Sequence, residues 1–161
     1  MKLVSVLMIF GLVAQNAVAA DLPARAPGLW KSTTTVAGPD GKPLANAVDV
    51  VTVSCVNALN DKKFFMSGAR ACTRLGLSGS GDTYKINGVC QQRDIHETLV
   101  YTDAKDLKLT AHVGSGPDAM TISSLLQWQG DCLAGMEPGD EGSVVNGAFS
   151  KADNINDDAN Q

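Results

Sequence analysis

Ala26-Pro27-Gly28-Leu29-Trp30-Lys31-Ser32-Thr33-Thr34-Thr35-Val36 is the stretch that decides the fold. Pro27 and Gly28 keep a helix from starting here. Beyond them Trp30, Ser32, Thr34 and Val36 share one face of an extended chain, and the Thr run supplies β-branched filling on both faces. Gly38-Pro39-Asp40-Gly41-Lys42-Pro43 then forces a turn-rich loop. A second β-branched run, Val48 to Val56, returns antiparallel with Val51, Val53 and Cys55 on one face. The pair reads as the opening hairpin of a disulfide-stapled antiparallel sheet.

Five more runs of the same kind follow. Thr73 to Ser78 alternates Thr73, Leu75 and Leu77; after Gly79-Ser80-Gly81-Asp82 the next places Tyr84, Ile86, Gly88 and Cys90 on one face. Ile95 to Tyr101 and Leu107 to Val113 are joined by a short polar link, and Met120 to Gly130 carries Met120, Ile122, Ser124, Leu126 and Trp128 on one face. Between the second and third strands, Asn57 is placed to cap one short helix or turn running to Phe64-Phe65-Met66, an apolar plug for one sheet face. The fold expected is mainly β: an antiparallel meander of about seven strands, curling into a barrel or half-barrel to hide its edges.

The chain has 161 residues, enough for one core, and only 5% are aromatic, which with 16 Gly suits short strands punctuated by turns. Lys2, the apolar run Leu3 to Val13 and Ala17-Val18-Ala19-Ala20 read as a secretory signal peptide over residues 1–20, too short for a spanning helix. Export to a periplasm, without a membrane anchor, is the localisation this implies. It also changes how Cys55, Cys72, Cys90 and Cys132 are read: an even number of cysteines in an oxidising compartment pairs. Their spacing contains no Cys-x-x-Cys, so no zinc site is expected. Of three connectivities, the one expected joins Cys55 to Cys72, pinning the non-sheet segment, and Cys90 to Cys132, tying a middle strand to the last.

Residues 21–132 form the expected stapled β domain, and there Lys plus Arg and Asp plus Glu balance at 11 each. With no basic stripe, nucleic acid and anionic membrane are not expected partners. Residues 133–161 carry a net −5, with Glu137, Asp140, Glu141, Asp153, Asp157 and Asp158 facing Lys151 alone, and Lys2 brings the chain to its net −4. That segment, poor in large apolar residues, reads as a disordered acidic tail.

The opening Ala26-Pro27-Gly28-Leu29-Trp30, Cys55 after the second strand, the spaced Cys72 and Cys90, and the closing Trp128-Gln129-Gly130-Asp131-Cys132 together resemble the bacterial domain of unknown function 3617 family. The resemblance spans Ala26 to Cys132 and implies a small exported protein with no established activity. Lys31 stands where that family's pattern suggests an acid. The Gly38 to Pro43 loop lacks methionines, so a Met-based metal role implied for such a loop has no ligands here.

Chemistry-bearing groups are few. His96 and Glu97 are adjacent in a strand, so they point to opposite faces and make no acid/base pair. His112 lies on the face opposite Leu109 and Ala111, towards solvent; a His96 and His112 pair is geometrically possible but offers only two ligands, so no metal and no cofactor is expected. Asp94, Glu97, Asp103 and Asp106 read as surface charge. No Gly-x-Ser-x-Gly elbow and no free thiol remain to supply a nucleophile. The expected function is a non-enzymatic module binding a small apolar ligand or an envelope protein. Its expected site is Trp30, Leu126 and Trp128, where the first and last strands of a curling meander approach. A periplasmic hydrolase with an unidentified active site is the alternative.

Overall fold

The computed structural model describes residues 21–66 and 72–157. The expected signal peptide, residues 1–20, lies outside the described residues. The described residues form one antiparallel nine-stranded sheet: β1 (Gly28–Ala37), β2 (Val50–Val56), β3 (Cys72–Ser80), β4 (Thr83–Cys90), β5 (Arg93–Asp103), β6 (Asp106–Val113), β7 (Met120–Gly130), β8 (Asp140–Val145) and β9 (Ala148–Asn154), with one short α-helix, α1 (Asp61–Met66), after β2 and a 3-10 turn (Gly116–Asp118) before β7. Their order across the sheet is β3-β4-β5-β6-β7-β1-β2-β8-β9. All seven expected strands are present, and β1 pairs with β7. The sheet curls without closing, since β2 leads on to β8 and β9 rather than back to β3.

Pairing fixes which side chains share the concave face. Trp30 lies opposite Trp128, Ser32 opposite Leu126, Thr34 opposite Ser124 and Val36 opposite Ile122. Continuing outward, Leu107, Leu109 and Ala111 of β6 oppose Leu126, Ser124 and Ile122, and Tyr101, Leu99 and Glu97 of β5 oppose those β6 residues in turn. The core that results is Leu22, Trp30, Val56, Tyr84, Ile86, Leu99, Tyr101 and Leu107, against which Phe64, Phe65 and Met66 of α1 pack. Asn57 starts the helical turn: its Oδ1 accepts from the backbone N–H groups of Leu59 and Asn60 at 2.9 and 3.0 Å.

Two expectations are corrected. The disulfides are Cys55–Cys132 and Cys72–Cys90. Cys72 and Cys90 sit opposite each other across the β3/β4 hairpin, so register brings them together. Cys55 ends β2 beside the start of β1, and β1 carries the end of β7 on its other side, with Leu29 opposite both Cys55 and Gly130. Adjacency of strands across the sheet, not closeness in sequence, sets both pairings.

The second correction concerns the segment after Cys132, which is not a disordered tail: β8 and β9 form a hairpin added to β2, with Val53 opposite Gly142 and Ser54 opposite Glu141. Polar groups order it in place of apolar bulk. Asp140 is 1% exposed and accepts hydrogen bonds from the Glu137 N–H at 2.8 Å, Asn154 Nδ2 at 2.7 Å and Lys151 Nζ at 2.7 Å. Burial pushes the Asp140 carboxyl up, but these donors outweigh it and hold it below its ordinary value. The turn at Asn146-Gly147, both at positive φ, is the strongest short-range hairpin signal a sequence carries.

Candidate functional site

The quoted motif builds one end of the concave face. Trp30 Nε1 donates to the Ala26 carbonyl at 2.8 Å, and Trp128 Nε1 donates to the Pro27 carbonyl at 2.9 Å. Gly28, at φ 127°, lets β1 approach β7 closely: a Cβ there would collide with the Gly130 carbonyl and lie 2.9 Å from Trp128 Nε1. Ala26-Pro27-Gly28 thus locks both tryptophans by their ring nitrogens. Trp30 is 1% exposed, a core plug. Trp128 is half-buried, and Lys105 Nζ lies 4.1 Å from its ring centroid.

Arg25, just before the motif, is buried against α1. Its Nε donates to Asp61 Oδ1 at 2.6 Å and its backbone N–H to Asp61 Oδ2 at 2.9 Å. The guanidinium carbon lies 4.9, 5.4 and 4.5 Å from the ring centroids of Trp30, Phe64 and Phe65. Burial pulls the Arg25 pKa below its ordinary value, opposed by Asp61. Among the described residues Arg25 Nη2 is buried without a hydrogen-bond partner, and the three rings lie close around this side of the cation.

Between α1 and the sheet lies a cavity of about 160 Å³. Phe64, Phe65, Leu109 and Leu126 supply apolar walls, Ser32, Thr52, Ser54 and Ser124 supply hydroxyls, and Arg25 and Glu141 complete the lining. Of the three expected site residues, Leu126 lines this cavity, whereas Trp30 and Trp128 stand beside it and position the strands that do.

Three rows along from Trp30, Glu97 occupies the concave face between Ile86 of β4 and Ala111 of β6, which are 2% and 6% exposed. Its Oε1 is buried without a partner among the described residues, and burial pushes its pKa up to about 7. The reading of Glu97 as surface charge is therefore corrected. Strand parity carried the signal, because Ile95, Glu97, Leu99 and Tyr101 alternate onto one side. Tyr101, whose Oη is also buried and unpartnered among the described residues, has its pKa raised to about 12, chiefly by burial. His96 and His112 are exposed on the convex face. Asp94, Asp103 and Asp106 lie at strand ends, away from Glu97, and assemble no catalytic pair.

The family model for "Protein of unknown function (DUF3617)" matches residues 25–132. The chain belongs to the DUF3617 family. No curated protein and no solved structure matches it. The family match begins at Arg25 and ends at Cys132, so it contains the buried cation, the motif that locks both tryptophans and all four cysteines. The β8/β9 hairpin lies beyond it. Among the described residues no group of three or more His, Cys, Asp or Glu is placed to hold a metal ion, and no helix is long and apolar enough to cross a membrane.

Proposed function

We propose that this DUF3617 protein is an exported, non-enzymatic binding module that takes a small ligand, or one end of a longer apolar one, into the cavity under α1. The observation that carries this reading is the mixed lining: Phe64, Phe65, Leu109 and Leu126 give apolar contact, while four hydroxyls, Arg25 and Glu141 offer hydrogen bonds that fix the orientation of a small guest. Two disulfides support the export half of the proposal.

The test fills the cavity. Ser54 lines it from β2, and Ser54→Leu removes the space while leaving the Arg25–Asp61 pair and both Trp hydrogen bonds in place. Thermal melting of the wild type with a series of short-chain to medium-chain acyl carboxylates and their alcohols is expected to show a ligand-dependent rise in Tm. In Ser54→Leu that rise is expected to vanish while the ligand-free Tm stays within a few degrees. A shift that survives the substitution would place the ligand elsewhere.

The hydrolase reading has one observation in its favour, the Glu97 carboxyl with a pKa raised to about 7, suited to general acid/base work. Its cross-strand neighbours are Ile86 and Ala111, which supply neither nucleophile nor second acid, and His96 faces the other way. An ester-hydrolysing activity abolished by Glu97→Gln in a folded protein would reverse the preference.

A further inference from the structure

The convex face carries an arrangement unrelated to the cavity. The chain has two histidines, and the β5/β6 register sets His96 directly opposite His112. Side chains directly opposed on antiparallel strands spring from Cβ atoms about 5 Å apart. Two imidazoles from such positions can close on one ion at ligand distances of about 2.0–2.1 Å.

Each ring is also held from its outer side. In one continuous row across four strands, Asn87 of β4 lies opposite His96, and Thr121 of β7 lies opposite His112. Asn87 Oδ1 is 2.9 Å from His96 Nδ1, and Thr121 Oγ1 is 3.1 Å from His112 Nδ1. With Nδ1–H donating to these oxygens, the lone pair of each ring is on Nε2, at an exposed position. A metal-ligating histidine is ordinarily prepared this way: an acceptor on one ring nitrogen fixes the tautomer that offers the other to the ion.

We propose that His96 and His112 bind one divalent transition-metal ion through their Nε2 atoms, with Cu(II) held most tightly among the first-row ions. No third His, Cys, Asp or Glu joins them to make a larger cluster among the described residues, so water completes the coordination. Asn87 and Thr121 are positioning residues. The proposal is independent of the cavity, since the two sites lie on opposite faces of the sheet.

The experiment is calorimetric titration of Cu(II), and separately Zn(II), into the mature full-length chain in a non-coordinating buffer, with electron paramagnetic resonance of the copper form. One ion per chain is expected, with two nitrogen ligands in the copper spectrum and tighter binding of Cu(II) than of Zn(II). His96→Gln and His112→Gln are each expected to weaken Cu(II) binding at least tenfold, and Asn87→Ala about tenfold. All three residues are exposed, so metal-free melting is expected to be unchanged. Equal binding by wild type and the double histidine variant would overturn the proposal, whether that binding is tight at another site or absent. A single histidine variant that keeps wild-type affinity would overturn it too.

Discussion

The two ends of the concave face treat a buried ionisable side chain in opposite ways. At the Trp30 end, Arg25 meets Asp61 through two hydrogen bonds and is wrapped by three aromatic rings. Three rows away, Glu97 sits among aliphatic side chains with one oxygen unpartnered. The difference separates what the fold uses to hold itself together from what it leaves poised. The paired cation ties the leader before β1 to α1 and so closes one end of the half-barrel. The unpaired acid ties nothing, and its protonation state is set by burial alone.

Breaking the closed end should have the largest effect. Asp61→Ala leaves a buried guanidinium without its counter-ion and is expected to cost about 3–5 kcal/mol in chemical unfolding. Replacing both members, Arg25→Leu with Asp61→Leu, is expected to cost less than either single change, because no uncompensated charge remains. Strict additivity in the double-mutant cycle would show that the two do not act as a pair. Trp30→Ala belongs to the same range, about 3–5 kcal/mol, since a fully buried indole and its hydrogen bond are lost together.

The open end should answer to pH instead. Glu97 has a folded pKa of about 7, against an unfolded value of about 4.3. The native state therefore holds a proton that the unfolded chain has released, and stability falls as pH rises between those two values, then levels off above 7. The loss is expected to be on the order of 2–3 kcal/mol between pH 4.5 and 8, read from urea unfolding midpoints. In Glu97→Gln that part of the slope should disappear. An unchanged slope would mean that Glu97 stays hydrated.

The smallest effect is expected at Trp128. It is half-buried, donates one hydrogen bond to Pro27 and lies beside Lys105. Trp128→Ala should lower stability by about 1–2 kcal/mol, clearly less than Trp30→Ala although the two lie opposite each other. Equal losses would mean that the two ends of the motif are packed alike.

Much of this architecture is written locally. The period-two alternation of Leu107, Leu109, Ala111 and Val113, or of Ile122, Ser124, Leu126 and Trp128, places those residues on one face without reference to anything distant. Asn57 likewise marks the start of α1 by its own side chain. What alternation does not state is which strand lies beside which. The cysteine partners depend on that order: Cys55 reaches Cys132 because β1 is flanked by β2 on one side and β7 on the other.

The cavity was legible only through Leu126. Its remaining lining comes from Arg25, α1 and the hydroxyl positions of β1 and β2, brought together by tertiary packing. Arg25 in particular reads as an ordinary charge in a short leader until the rings that wrap it are in place. Two misses had local signals: Glu97 shares the parity of Leu99 and Tyr101, and Asn146-Gly147 is a hairpin turn. In the second case acidic composition outweighed the turn, although Asp140 spends its charge on a buried network and not on solvent.

The added hairpin also changes how the molecule meets its own copies. Without β8, strand β2 would end the sheet as a bare hydrogen-bonding edge, with its own Val50 and Val51 already 43% and 45% exposed. Such an edge is a template for another strand, and hence for fibrous or amorphous aggregation. With the hairpin in place, the terminal strand on that side is β9, whose Lys151 and Asp153 put charge on the outermost ladder. On that side of the sheet the hairpin therefore sets a charged strand where β2 would otherwise lie open to a second copy.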